Sequence, residues 1–278
     1  MRPTALVIGH VTLDAGPTGD IPGGSVLYGA RTLRALGARP WVLTAAGPDF
    51  PPTGPGWICR PSPATTRFTN RYDADGGRRQ QVTSRAQPIE IEALPEAWRA
   101  PRCAFLAPVL GDFAPAPFIE ALARCPLVGA GLQGWLKRGE PDGHVAHGPG
   151  GLDPAMFRGL DVAFLSEEDL AGRLDWLDAL CGLVPLVYLT RGRRGALLFR
   201  GDRLRHIAAC PAVEVDPTGA GDTFAAATLL ALAQGRGPEE AARQGAAAAS
   251  VVVEHRAAAP LKALHRSAER LERSREVA

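Results

Sequence analysis

A chain of 278 residues that is 46% hydrophobic and 22% charged can bury a sizeable core, and its length fits one α/β domain over residues 1–278. A formal charge of +2 disfavours a nucleic-acid partner, which usually meets a concentrated basic stripe. No apolar run approaches membrane-spanning length and the first residues lack a cleavable leader pattern, so a soluble, cytoplasmic protein without a membrane partner is expected.

In chain order, short apolar runs bounded by glycine, proline or charge occur at residues 5–8, 41–45, 104–107, 127–130, 162–165 and 186–189, and read as buried strands. Helical patterns lie between several of them. Val26, Leu27, Ala30, Leu33 and Leu36 precede Gly37, a residue suited to the left-handed turn that ends a helix. This alternation predicts an α/β fold with a doubly wound, mainly parallel sheet and helices on both faces. Two segments break the rhythm. Residues 10–23 are rich in Gly and Pro, and residues 64–85 read as a β-hairpin, polar on both faces, with its turn at 73–77. Together they predict a small β-structured lid over one end of the sheet. Residues 48–56 read as a loop, and the C-terminal third as Ala-rich helices over 219–234, 238–253 and 260–275.

Cys59, Cys103, Cys125, Cys181 and Cys210 contain no Cys-x-x-Cys pair, which argues against a disulfide framework. His144 and His147 have no Cys or acidic cluster beside them, which argues against a structural metal.

The chemistry concentrates at Asp216-Pro217-Thr218-Gly219-Ala220-Gly221-Asp222, where a helix begins in residues small enough to let backbone N–H groups face a ligand. Such a helix start carries unpaired donors and a partial positive charge, which suits an anion. Asp222 either caps that helix or serves a reaction beside the anion. The string resembles the Asp-Thr-x-Gly-Ala-Gly-Asp signature of the ribokinase-like carbohydrate kinases of the phosphofructokinase-B type, with Pro217 in place of Thr. The resemblance implies Asp222 as the general base for an acceptor hydroxyl. It also implies Gly219, Ala220 and Gly221 as the anion hole for the transferring phosphoryl group.

The resemblance covers most of the chain. Residues 9–14 and 22–28 are arranged as in the family's first motif, which implies substrate binding by Asp14, Gly23, Gly24 and Tyr28. Most sugar kinases of the family have Asn where Tyr28 stands. Tyr28, and the Gln133-Gly134-Trp135 portion of residues 129–136, are similar to the inositol-kinase-like branch; Trp135 taken alone reads as core. Residues 187–196 resemble the family's segment beside the nucleotide, which implies nucleotide binding by Thr190, Gly192 and Gly195, whereas their spacing alone reads as a hairpin turn. Arg191, Arg193 and Arg194 there either neutralise phosphate or solvate a loop. Small residues at 245–250, followed by Val251, Val252 and Val253, suit either an adenine slot or helix packing. Ser166-Glu167-Glu168-Asp169 departs from the family's Asn-x-x-Glu. Glu168 and Asp169 are expected to hold Mg²⁺ through water, the alternative being acids that favour a helix start.

The implied activity is ATP-dependent transfer of the γ-phosphoryl group to a hydroxyl of a small polyol or sugar, with Mg²⁺ required and a monovalent cation such as K⁺ admitted. One alternative is a nucleoside kinase of the same fold, its base stacked on Tyr28 or Trp135. Another is a regulatory homologue that binds without transfer. Open lid edges also imply a homodimer through the lid. Neither Gly-x-x-x-x-Gly-Lys-Ser/Thr nor an early Gly-x-Gly-x-x-Gly is present, which weakens P-loop and dehydrogenase readings.

Overall fold

Leu6 and Ile8 of the first strand join one hydrophobic cluster while Ala5 and Val7 join another. A strand buried on both faces belongs inside a parallel sheet covered by helices on each side. A computed structural model describes residues 2–16, 19–51, 53–72, 78–255 and 261–267. The chain begins with β1 (Thr4–Ile8), β2 (Thr12–Gly16), β3 (Gly19–Gly23), α1 (Ser25–Ala35), β4 (Arg39–Ala46), β5 (Trp57–Pro61), β6 (Thr66–Tyr72) and β7 (Arg78–Ser84). It continues through β8 (Cys103–Leu106), α2 (Pro115–Ala121), β9 (Val128–Gly131), β10 (Lys137–Gly139), β11 (Val145–His147), β12 (Val162–Ser166), α3 (Glu167–Leu170) and α4 (Leu174–Cys181). Then follow β13 (Leu186–Thr190), β14 (Ala196–Arg200), β15 (Arg203–Ile207), α5 (Ala220–Ala233), α6 (Pro238–Val252) and α7 (Leu261–His265).

Nine strands form the main sheet in the order β15-β14-β13-β12-β9-β8-β1-β4-β5. It is parallel from β5 to β13, and β14 and β15 fold back antiparallel at one edge. One face packs on α1, α5 and α6 through Val26, Leu33, Phe224, Leu229 and Ala242. The other packs on α2 and α4 through Phe118, Ile119, Trp176 and Leu180. This is the doubly wound sheet that the strand and helix alternation predicts. None of the five cysteines forms a disulfide. No described helix is long and apolar enough to cross a membrane.

The two irregular segments do combine into one small sheet, ordered β3-β2-β6-β7. Its hairpin is not polar on both faces, however. Phe68 pairs with Val82, and both pack with Val109, Leu110 and Val145 into a small cluster. Spacing hid this, because two apolar residues among charges do not make an alternating run. The expected turn at 73–77 lies outside the described residues, as does the second half of the last expected helix, beyond residue 267.

His10 ties the lid to the main sheet at its root. Its backbone N–H donates to Asp112 Oδ2 at 2.7 Å, and its ring nitrogens lie 3.2 Å from Thr66 Oγ1 and 3.0 Å from the Gln87 carbonyl. Asp112 also accepts from the backbone of Val109 and Leu110 at 3.0 and 2.9 Å, so one buried carboxylate shapes the loop after β8.

Candidate active site

The start of α5 is built for close approach. Gly219 precedes it at φ 80°, and a Cβ at that position would stand 2.2 Å from the Tyr28 ring. Any other residue would be strained in its backbone and would collide with the aromatic ring. The Ala220 N–H donates to the Pro217 carbonyl at 3.1 Å, so this one of the three expected anion-hole amides is engaged within the turn. Gly221 is open, with no heavy atom within 4 Å of where a Cβ would lie. Asp222 follows it in the first helical turn.

Two compartments of about 360 Å³ each meet at this helix start and share Thr190, Gly192, Pro217, Ala220 and Gly221. They open beyond the C-terminal ends of the parallel strands, where sheets of this kind leave a crevice. The first compartment is mixed, and it holds most of the site's polar side chains. Asp14 comes from β2, Ser25 and Tyr28 from α1, Gln133 from the turn after β9, and Lys137 from β10. The lid contributes Phe68 and Gln80 to the same wall. Gly23 lacks the Cβ that would press to 2.8 Å on Asp14 Oδ2, and Gly24, at φ 95°, lacks one that would strike the His10 carbonyl at 2.6 Å. Gly23 lets β3 lie close to the Asp14 carboxylate, and Gly24 lets the start of α1 approach the His10 backbone.

The second compartment is mainly apolar. Phe224, Ala246, Ala249 and Val253 line it from α5 and the end of α6, and Gly192, Gly195 and Ala196 line it from the β13–β14 connection. Residues 192–194 form a tight turn between antiparallel strands, as spacing suggested, and Thr190 and Gly192 border both compartments. A Cβ on Gly195 would stand 2.1 Å from the Ile207 carbonyl, so that glycine is required for β14 to meet β15. Arg193 also lines this space and donates to Glu214 at 3.1 Å, while Arg194 pairs with Glu167 on the surface.

Electrostatics single out Asp222. Burial pushes its carboxyl up to about 6, opposed by a Ser25 hydrogen bond and the Lys137 charge and reinforced by Asp169. Gln133 Nε2 donates to Asp222 Oδ1 at 3.1 Å and to Ser25 Oγ at 2.7 Å. Burial, with Asp14, Asp222 and Asp216 nearby, also raises the Tyr28 hydroxyl above the ordinary phenol range, so it stays protonated and able to donate.

Asp169 takes the helix-start role that the acidic run allowed. Its Oδ2 accepts from the Ser166 backbone N–H at 2.9 Å and from Ser166 Oγ at 2.8 Å, and Ser166 Oγ accepts the Asp169 N–H at 3.1 Å. Glu168 and Asp169 nonetheless both line the polar compartment. No cluster of three His, Cys, Asp or Glu side chains suited to a metal occurs among the described residues. That donor set fits Mg²⁺, which rests on one or two carboxylates and otherwise on waters and phosphate oxygens. Trp135 lies in the core, its indole N–H donating to the Phe113 carbonyl at 2.8 Å and its ring against Phe113 and Phe157. It lines neither compartment, which removes it as a stacking surface for a bound base.

Sequence reasoning assigned no role to Ser25, Gln80, Gln133 or Lys137. Ser25 and Gln133 each left a trace, inside residues 22–28 and the Gln133-Gly134-Trp135 string respectively.

Residues 160–263 match the sequence profile of the pfkB family carbohydrate kinases. An inositol 3-kinase of Zea mays is 32% identical over 140 residues, 49% of this chain and 36% of that enzyme, so the match spans about a third of the relative's length. A cytidine kinase of Thermococcus kodakarensis is 26% identical over 268 residues, 86% of this chain and 92% of that enzyme. Among solved structures, a pyrophosphate-dependent kinase in the ribokinase family, complexed with a pyrophosphate analog and myo-inositol, superposes with a TM-score of 0.77 at 22% identity. The superposition covers 94% of this chain and 98% of that one.

Proposed function

We propose, for a chain that is a relative of the pfkB carbohydrate kinases with a ribokinase-like fold, that it transfers the γ-phosphoryl group of ATP to a hydroxyl of a small polyol or sugar. The observation that carries this reading is Asp222, a carboxyl raised by burial, standing in the first turn of α5 where a polar and an apolar compartment meet. The acceptor would occupy the polar side and the nucleotide the apolar side. Asp222, ionised above about pH 6, would take the hydroxyl proton as the oxygen attacks. The amides of Gly219 and Gly221, with that of Ala220 engaged in the turn, would hold the transferring group's oxygens. Glu168 and Asp169 would receive Mg²⁺ with its waters, which supplies positive charge against the phosphate oxygens. The lid residues Phe68 and Gln80 would close over the acceptor and exclude water.

Two choices within this reading rest on specific features. ATP is preferred to pyrophosphate as donor because Phe224, Ala246, Ala249 and Val253 offer an apolar slot of a size for a flat base. A polyol or sugar is preferred to a nucleoside because the Tyr28 ring, only 5% exposed, is pressed against Gly219 and Trp135 lies in the core, while Asp14, Gln80, Gln133 and Lys137 offer hydrogen bonds. The test is phosphoryl transfer from ATP and from pyrophosphate to a panel of polyols, sugars and nucleosides. Transfer from ATP to a polyol or sugar is expected, reduced by about 10²–10⁴ in Asp222→Asn. Ligand binding without transfer to any acceptor overturns the kinase reading in favour of a binding protein.

A further inference from the structure

From the hydrogen bonds around α5 we infer that Gln133 and Ser25 form a clamp that orients Asp222, with one carboxylate oxygen held and the other presented to the acceptor hydroxyl. The inference rests on the reading of Asp222 as the base. The three residues come from separate parts of the chain: Ser25 is the first residue of α1, Gln133 lies in the turn after β9, and Asp222 lies in the first turn of α5. Gln133 is 108 residues from Ser25 and 89 from Asp222, so only folding brings them together.

The chemistry of the amide defines the role. Gln133 Nε2 carries two N–H donors, and both are used, one on Ser25 Oγ at 2.7 Å and one on Asp222 Oδ1 at 3.1 Å. Accepting from Gln133 leaves the Ser25 hydroxyl proton to point elsewhere, and the carboxylate of Asp222 is the acceptor it meets. Ser25 is 2% exposed, which limits solvent competition for that proton. The neutral Gln133 amide therefore holds Oδ1, and neither it nor the Ser25 hydroxyl adds a charge that would quench the base. A buried hydrogen-bonded network of this kind pins one rotamer. With Oδ1 held by Gln133, the clamp reserves the second carboxylate oxygen for the incoming hydroxyl, within the positioning tolerance that in-line transfer demands.

Other charged groups face Asp222 as well. Lys137 approaches from β10, Glu168 and Asp169 line the compartment from α3, Tyr28 and Ser25 come from α1, and Asp14 and Asp216 act on Tyr28. Burial raises the carboxyl, while the Ser25 hydrogen bond and Lys137 lower it. Removing a donor that favours the ionised form raises its titration midpoint further.

The experiment uses Gln133→Met, close in shape but without donors, and Ser25→Ala as a second variant should the first fold poorly. Two readouts are taken on each. One is the pH dependence of kcat/KM, and the other is the ¹³C titration of the Asp222 carboxyl in the ligand-free protein, identified by its absence in Asp222→Asn. The acid limb and the carboxyl midpoint are both expected to move up by about one pH unit, with activity at pH 6 falling roughly fivefold and KM for the nucleotide unchanged. A wild-type protein that transfers phosphate while both variants keep its pH profile and midpoint overturns the clamp. A shifted midpoint in a protein that transfers nothing upholds the clamp and overturns the kinase reading.

Discussion

Burial raises the Asp222 carboxyl from 3.8 to about 6, and linkage converts that shift into a pH-dependent stability. The folded chain binds this proton more tightly than the unfolded chain does. The contribution to stability is therefore fully present below about pH 3.8 and is lost as pH rises through about 6. Asp222→Asn cannot ionise and escapes that loss. The variant is expected to be more stable than the wild type at pH 8, by up to about 3 kcal/mol, with the difference vanishing near pH 3.5; urea melts at the two pH values measure it. At the same scale, Gly219 and Asp222 were legible as the start of a helix because a helix start in small residues is a local pattern. Tyr28 was legible as a departure from the family, but its place against Gly219 was not, since that contact depends on how α1 packs on α5.

Among the elements, α3 shows how one acidic run serves two ends. Ser166 and Asp169 close a reciprocal cap, the arrangement that satisfies the first donors of a helix. Ser166→Ala is expected to lower stability by about 1 kcal/mol in chemical denaturation. The same change frees Asp169, so the concentration of Mg²⁺ needed for half-maximal transfer would move if that carboxylate also serves the metal, and would stay fixed if Glu168 alone does. The lid teaches a related lesson. Its existence followed from two stretches of turn and β-forming residues that interrupt the strand and helix rhythm. Its apolar underside at Phe68 and Val82 did not, because the partners Val109, Leu110 and Val145 come from loops and strands further along the chain.

For the whole molecule, the decisive feature is that a mainly apolar compartment and one rich in polar side chains share the start of α5. The nucleotide reading of the apolar one predicts that Ala249→Phe, which fills that slot, raises KM for ATP about tenfold or more and leaves KM for the acceptor within about twofold; steady-state kinetics with each substrate varied in turn decide it. An equal rise in both constants would place the acceptor in the apolar compartment instead. The parallel sheet and the Gly219-Ala220-Gly221-Asp222 helix start were determined by the sequence itself, since buried strands and helix ends are encoded in runs of neighbouring residues. Tertiary structure alone decided that Gln133 and Ser25 hold Asp222 and that Tyr28 packs against Gly219. Side-chain partners far apart in the chain are chosen by packing, and packing is a property of the assembled sheet and helices that no single stretch of residues contains.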